Sequence, residues 1–234
     1  CISVIDLVEY DSTINSVTTQ ASSYDTSYSA TYWPWLQTVD ANTGQTVWAP
    51  ASTYIPAVYA FTDASSDPWF APAGLIRGAL GSVVRAERKL TSGNRDTLYE
   101  ANVNPIATFP GSGVVVFGQK TLQKRASALD RVNVRRLLIA LKSYIVQVSD
   151  NLVFEQNTNA TRNAFLAEVN PYLESVQQRQ GLYAFKVVMD ASNNTPDVID
   201  RNELVGQIYL QPTKTAEFVI LDFNVLPTGA TFPE

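Results

Sequence analysis

Apolar side chains recur at helical spacing along a stretch near the middle of the chain. Between residues 134 and 148 they return every three or four positions and line one broad face: Val134, Leu137, Leu138, Leu141, Tyr144, Ile145 and Val148. This spacing is typical of a helix that packs one side against a core. Asp130 precedes the pattern, and a carboxylate there can accept hydrogen bonds from the free N–H groups of a first turn. We therefore predict a long helix capped by Asp130.

The other side of this helix is partly apolar as well. Val132, Ile139 and Val146 lie toward the side opposite the main face, so we expect burial on two sides. Only a narrow polar strip remains, at Arg136, Ser143 and Gln147.

Three basic residues, Arg131, Arg135 and Lys142, form a line beside the apolar face. They are either a solvated or locally paired face, or a surface for an acidic partner.

A buried strand precedes this helix. The run Val114–Phe117 is apolar and β-branched, and Pro105 and Pro110-Gly111 indicate turns around it. Gly113 and Gly118, followed by Lys120-Thr121, superficially resemble a phosphate-binding loop. The four residues between the glycines are large and apolar, however, which suits a strand and not a cradle of N–H groups.

The rest of the chain mixes helices and strands. A second long helix is predicted over 158–178, kinked at Pro171 and capped by Gly181. Strands are predicted over 2–8, 27–36, 82–90, 183–189, 204–210 and 217–226. The alternation places Tyr183, Phe185, Val187 and Met189 on one strand face.

These elements predict an α+β fold, with a mixed β-sheet flanked by helices and part of a second α/β lobe at the N-terminal end. We expect residues 1–76 to be the end of an upstream lobe and 77–226 to be the core domain. Residues 227–234, with two prolines and a glycine, are expected to be a tail or an arm.

Composition narrows the functional classes. The chain has no histidine and its only cysteine is Cys1, so histidine-dependent triads, thiolate–histidine pairs and ordinary zinc sites are excluded. The formal net charge of −5 disfavours a nucleic-acid binder, and no apolar run is long enough to cross a bilayer. Carboxylate-only or Ser–Lys chemistry stays open, and would need a pocket with a shifted acid.

We predict no metal or other cofactor. Asp190, Ser192 and Asn194 have the opening spacing of a calcium loop, but Thr195 stands where such a loop needs glycine and Arg201 where it needs glutamate. A hydrogen-bonded turn explains these residues better. The sole methionine is Met189 and the chain opens directly in a strand-like run, so we expect a piece of a longer polypeptide. A processed secretory protein is the alternative.

Several segments, in order, resemble the C-terminal region of contractile phage tail sheath proteins. They are SYSATYWPWL at 27–36, YIPAVYAFTD at 54–63, LYEANVNPI at 98–106, FPGSGVVVFGQKTL at 109–122, DRVNVRRLLIALKSYI at 130–145, LVFEQNTNATRNAF at 152–165 and QIYLQPTKTAEFVILDF at 207–223. The resemblance covers most of the chain and is weak only in the first 22 residues.

The resemblance implies a non-enzymatic structural subunit of the virion, assembled in the host cytoplasm. Such subunits form hexameric rings stacked around a tail tube and contract to drive the tube through the host envelope. Terminal arms of neighbouring subunits add strands to each domain's sheet. The implied partners are other copies, the tail tube protein, the baseplate and the tail terminator, without direct nucleic-acid contact or membrane insertion.

Two sets of site residues follow from the resemblance. Arg131, Arg135 and Lys142 are candidates for contact with an acidic tail tube, and Leu226, Pro227 and Phe232 for an inter-subunit strand or arm. A tailocin or type VI secretion sheath is the alternative within the same family. A secreted ligand-binding module using exposed aromatic residues is a further alternative from another class.

Overall fold

The computed structural model describes residues 1–217. Its helices are α1 (Ile14–Ala21), α2 (Ile55–Ser65), α3 (Gly74–Arg77), α4 (Ser92–Glu100), α5 (Val132–Asp150), α6 (Asn159–Gln178) and α7 (Pro196–Asp200). Its strands are β1 (Ser3–Ile5), β2 (Ser29–Trp33), β3 (Leu36–Val39), β4 (Thr46–Ala49), β5 (Val83–Ala86), β6 (Asn104–Phe109), β7 (Gly113–Val116), β8 (Leu182–Val188) and β9 (Gln207–Pro212). The predicted strand over 217–226 lies outside the described residues, apart from Glu217.

The first sheet has four strands in the order β1-β2-β6-β7. β1, β2 and β6 are parallel, whereas β7 is antiparallel to β6. The predicted α+β fold with a mixed sheet and flanking helices is therefore confirmed. Two smaller antiparallel sheets have the orders β4-β3-β5 and β8-β9.

The predicted strand at Val114–Phe117 is one half of a hairpin. Strand β6 was not predicted, because Pro105 was interpreted as a turn residue. In the structure Pro105 lies inside β6, paired with Trp33, and its carbonyl accepts from the N–H of Phe117 at 2.9 Å. The hairpin turn has Gly111 and Gly113 at φ +81° and +71°, a region that glycine adopts without strain.

Three hydrophobic clusters support these sheets. One surrounds the four-stranded sheet and includes Leu36, Ile55, Ile106 and Val116. A second lies between Trp33, Leu98 and Leu122. The third joins α5, α6 and the β8–β9 sheet through Leu137, Leu141, Val169, Leu173, Val176 and Met189.

The predicted division after residue 76 stays a prediction. Strands from both sides of it share sheets, since β3 pairs with β5 and β2 with β6.

Asp130 does not cap the long helix, so that prediction is wrong. Asp130 ends a short 3-10 turn, Ala128–Asp130, and Arg131 occupies the cap position of α5 without a side-chain capping bond. A backbone contact substitutes for the cap: the N–H of Val132 donates to the carbonyl of Gln119 at 2.8 Å. This bond is one of the two that make up the antiparallel bridge between Lys120 and Arg131.

The burial of α5 also differs from the prediction. Its first six residues, Val132–Leu137, are all buried, including Arg136, which was expected on a polar strip. Val146, expected to be buried on the second side, is 46% exposed. The N-terminal half of α5 is therefore enclosed on all sides, whereas its C-terminal half is buried on one side only.

The end of α6 forms a Schellman-type turn, shifted by one residue from the prediction. Gln180, not Gly181, adopts the left-handed conformation, with φ +65°. The N–H of Gly181 then donates to the carbonyl of Val176 at 2.8 Å. Glycine is required at 181 for space, because a Cβ there would lie 2.6 Å from Cγ1 of Val176.

Candidate assembly surface

The two-stranded sheet β8–β9 has two open edges within residues 1–217. Each strand pairs only with the other, so the outer N–H and C=O groups of both face away from any described strand. One face of the sheet is anchored, since Phe185, Val187, Ile208 and Leu210 pack against the α5–α6 core. Such a ribbon, fixed on one face and unpaired at both edges, can accept a further strand on either side.

The opposite face of this ribbon is aromatic and basic. Tyr183 and Tyr209 are 65% and 56% exposed, and Lys186 is exposed opposite Tyr209. The alternation predicted Tyr183 on the same face as Phe185 and Val187, and this prediction is wrong. A register shift between Leu182 and Ala184 breaks the two-residue alternation there, and Tyr183 points to solvent.

Arg131 is engaged inside the chain. Its guanidinium forms two bonds to the Glu217 carboxylate, at 2.7 Å and 3.0 Å, and lies 3.2 Å from Asp130. The pKa of Arg131 is raised. Desolvation acts to lower it, but the hydrogen bond to Glu217 and the electrostatic effect of Tyr99, Glu217 and Asp130 together outweigh that effect. Of the two explanations left open for the basic line, local pairing describes this residue.

Arg135 is buried, and only 7% of it is exposed. Its guanidinium donates to the Ser27 hydroxyl and lies 4.0 Å from the centre of the Tyr28 ring. Position 135 follows 131 by one helical turn, but the fold covers it with the segment before β2. The spacing alone could not reveal this cover.

Lys142 is the one member of the basic line with an exposed side chain. No ion pair to its ammonium group occurs in the part of the chain that the structure describes. The structure thus does not bring Arg131, Arg135 and Lys142 together as one surface.

Arg136 ties α5 to α2. It forms an ion pair with Asp63 and lies 4.8 Å from the centre of the Tyr59 ring, while the Tyr59 and Tyr32 hydroxyls are 2.8 Å apart. Burial raises the pKa of Tyr59 to about 12, so this phenol stays neutral and can donate. The role of this network is to hold the two helices on the sheet.

A cavity of about 360 Å³ lies between the hairpin and the segment that ends at Glu217. Its walls include Ala73, Tyr99, Pro105 and Phe117, with Arg95 and Asp96 at one side. Arg95 lies 5.2 Å from the centres of both the Phe109 and Phe117 rings. No group here forms a nucleophile–base pair, and the wall is mostly apolar.

Other signals weighed in the sequence have structural explanations. Gly113–Val116 is strand β7, so the loop-like run does not form a phosphate cradle. Asp190 accepts from the N–H of Ser192 at 2.8 Å in a turn, as expected, and no cluster of metal-ligating residues occurs within 1–217. None of the described helices is long and apolar enough to cross a membrane.

One exposed feature was missed from sequence. Phe154, in the loop between α5 and α6, is 99% exposed at φ +71°, and Val153 beside it is 60% exposed. The apolar run Leu152-Val153-Phe154, in a loop that is otherwise polar, was the available signal. The candidate arm residues Leu226, Pro227 and Phe232 lie outside the described residues.

Two family models match nearly the whole chain. The phage tail sheath protein central domain matches residues 5–122, and the phage tail sheath C-terminal domain matches residues 125–226. The two matches meet just before α5. The predicted boundary after residue 76 lies inside the first of them.

Curated relatives are tail sheath proteins of phages. That of Vibrio phage KVP40 is 42% identical over 187 residues, and that of Enterobacteria phage T4 is 39% identical over 187 residues. Both alignments cover 80% of this chain but 28% of the relative. The chain therefore spans less than a third of the length of these relatives.

Solved structures of similar fold come from contractile assemblies. The sheath complex of the extracellular contractile injection system PVC, in its contracted state, has a TM-score of 0.84 and 29% identity, covering 94% of this chain and 63% of that chain. The helical sheath of the anti-feeding prophage, also contracted, has a TM-score of 0.78 and 25% identity, covering 95% of this chain and 61% of that chain.

Proposed function

Because the chain belongs to the phage tail sheath protein family, we propose that it is part of the structural subunit of a contractile phage tail sheath. The full subunit polymerises in hexameric rings around a tail tube and contracts to drive the tube through the host envelope. The role is mechanical and requires no chemistry at the cavity beside Glu217.

The observation that carries this proposal is the open β8–β9 ribbon. Its two edges are unpaired within residues 1–217, and one face is fixed on the α5–α6 core. Strands from two neighbouring subunits can therefore extend it to a four-stranded sheet without moving the core. Main-chain hydrogen bonds formed this way join subunits with little demand on side-chain identity, which suits a polymer that must keep its connections during contraction.

Contact with the tail tube is proposed for one basic residue instead of three. Arg131 and Arg135 are engaged within the chain, whereas Lys142 is exposed. A single exposed ion pair contributes at most about 1 kcal/mol, but its repetition along a tail adds up.

The proposed partners are further copies of the subunit, the tail tube protein, the baseplate and the tail terminator. Assembly takes place in the host cytoplasm and the product is a component of the virion. Support for the baseplate contact comes from the anti-feeding prophage baseplate, 6-fold symmetrised, which contains a chain of similar fold, with a TM-score of 0.77 and 25% identity.

A second candidate is a sheath subunit of a contractile injection system that is not a phage. The PVC sheath favours it, with a likeness over 94% of this chain. Sequence identities of 42% and 39% to phage proteins, against 29% to the PVC sheath, favour the phage role.

Electron microscopy of the full-length protein, purified and incubated with its tail tubes, tests the proposal. We expect helical polymers on the tubes, with sixfold symmetry in end views. Full-length protein that is folded but forms only monomers in the presence of tubes would contradict the proposal.

A further inference from the structure

Arg131 and Glu217 form a two-point ion pair between positions 86 residues apart in sequence. Nε of Arg131 donates to Oε1 of Glu217 at 2.7 Å, and Nη2 donates to Oε2 at 3.0 Å. Both side chains are mostly buried, with 26% and 16% exposed. A bidentate guanidinium–carboxylate pair fixes the orientation of both groups as well as their distance.

The buried side-chain amide of Gln119 contacts the segment that contains Glu217. Nε2 of Gln119, a residue that is 3% exposed, donates to Oγ1 of Thr215 at 2.6 Å and to Oε1 of Glu217 at 3.3 Å. Residues 213–217 form no helix or strand. Besides the N–H of Thr213, which donates to the carbonyl of Gly181 at 3.2 Å, the contacts to Gln119 and Arg131 hold this segment on the fold.

Tyr99 lies beside the ion pair of Arg131 and Glu217. Its ring lies 5.9 Å from the Arg131 guanidinium and 4.4 Å from the Lys120 ammonium, which also donates to the Tyr99 carbonyl at 2.6 Å. Burial, together with the neighbouring Glu217 carboxylate, raises the pKa of Tyr99, so the phenol stays neutral beside that carboxylate.

The residues around this ion pair come from both of the parts of the chain that the family models distinguish. Tyr99, Gln119 and Lys120 belong to the first part, and Arg131 and Glu217 to the second. These five residues are here called the clasp. It lies at the C-terminal end of the described residues, of which Glu217 is the last.

We propose that the clasp fixes the direction in which the C-terminal segment leaves the subunit, and so positions that segment for a neighbouring copy of this chain. The proposal rests on the proposed sheath function and deepens it. It assigns Arg131 a positioning role inside the subunit, in place of the tail-tube contact expected from sequence.

A lysine-specific endoprotease, which does not cleave after the arginines that these variants add or remove, offers a direct readout of the clasp in the soluble full-length monomer. Lys214 is exposed and lies three residues before Glu217, so cleavage after it requires the segment to detach. Glu217→Gln and Arg131→Gln remove the ion pair, and Arg131→Glu/Glu217→Arg exchanges its charges. Arg201→Gln, which breaks the exposed Arg201–Glu203 pair at 3.1 Å, is the matched control.

We expect Glu217→Gln to raise the rate of cleavage after Lys214 about tenfold, with the exchanged pair partly restoring the wild-type rate. The melting temperature of Glu217→Gln should stay near that of the wild type, because residues 213–217 belong to no helix or strand and can detach without unfolding the sheets. Sheaths formed on tubes should be shorter or absent for Glu217→Gln and longer again for the exchanged pair. Arg201→Gln should match the wild type in every assay.

Two results would contradict the proposed role of the clasp. Wild-type cleavage rates in Glu217→Gln would show that the pair does not hold the segment. Fast cleavage with sheaths of normal length would show that holding it is irrelevant to assembly. In both cases the proposed sheath function would still hold if the wild-type protein forms sheaths on tubes. A wild-type protein that never polymerises on tubes would refute both the sheath function and the role of the clasp.

Discussion

Trp69 and Arg179 contact each other twice, through a hydrogen bond and through a ring–cation contact. Nε1 of Trp69 donates to the Arg179 carbonyl at 2.9 Å, and the Arg179 guanidinium lies 4.8 Å from the centre of the Trp69 ring. Arg179 also pairs with Asp67 at 2.7 Å. The aromatic loop before α3 is thereby fastened to the end of α6, next to the start of β8.

The first prediction concerns this fastening. Trp69→Phe removes the indole donor and leaves the Arg179 carbonyl without that partner, so we expect the free energy of unfolding to fall by about 2 kcal/mol. Urea denaturation of the isolated chain measures it. Trp48→Phe, at a partly exposed ring, is the control and should change stability by less than about 1 kcal/mol. Equal losses in both variants would contradict the structural role of Trp69.

The second prediction separates two residues that the sequence grouped together. Arg135→Glu places a carboxylate in a buried site next to Ser27 and Tyr28, and should lower the free energy of unfolding by about 3–5 kcal/mol. Lys142→Glu lies on the surface and should change it by less than about 0.5 kcal/mol. Thermal unfolding of both variants checks this difference.

Lys142 should matter for sheath assembly, although it should contribute little to the stability of the fold. Full-length Lys142→Glu should fold normally and form fewer sheaths on tubes, whereas Lys89→Glu, at another exposed lysine, should behave as the wild type. Normal sheath growth with Lys142→Glu would remove Lys142 from the tube interface.

These residues show which inferences a sequence can support. The helical spacing predicted α5 correctly, because burial of one apolar face depends only on periodicity. It could not predict that Arg135 and Arg136 are enclosed, since their covers, Ser27, Tyr28 and Tyr59, come from elements about 75 to 110 residues away.

The errors at the sheets have a similar cause. β6 was missed because a proline is compatible with a parallel neighbour at Trp33, which local propensity cannot show. Tyr183 was placed on the wrong face because the bulge between Leu182 and Ala184 follows from pairing with β9 and not from the strand's own pattern. The open edges of β8–β9, central to the proposed function, appear only once the pairing is known.

The third prediction concerns pH. The Glu87 side chain is 4% exposed, accepts from the N–H of Trp35 at 3.3 Å and lies 3.6 Å from Nε of Arg88. Burial raises its pKa above the ordinary carboxyl value, outweighing the Trp35 hydrogen bond and the Arg88 charge. The folded state therefore binds the proton more tightly than the unfolded state, so this group's contribution to stability falls as the pH rises from the unfolded pKa through the folded pKa.

Glu87→Gln removes that titration while keeping an acceptor for Trp35. The variant should be more stable than the wild type at about pH 7, with a smaller difference at about pH 4, where the wild-type carboxyl binds its proton. Urea denaturation at the two pH values measures it. A variant less stable than the wild type at the higher pH would mean that the Arg88 contact outweighs the cost of burial.

The fourth prediction concerns residues 227–234, which lie outside the described residues. Deleting them from the full-length protein should leave the melting temperature nearly unchanged, because two prolines and a glycine limit what this segment can bury. If the segment is an inter-subunit arm, polymerisation should be impaired. Thermal unfolding and electron microscopy on one sample decide it, and sheaths of normal length would reduce the segment to a frayed end.

In the proposed sheath, strands from neighbouring subunits complete the β8–β9 ribbon. A cryo-electron microscopy map of the full-length protein polymerised on its tail tube, detailed enough to trace backbones, would reveal which strands flank β8 and β9. We predict a four-stranded sheet in every subunit, with β8 and β9 each flanked by a strand from a different neighbour. A helical polymer in which both outer edges of β8–β9 face solvent would refute this strand pairing between subunits.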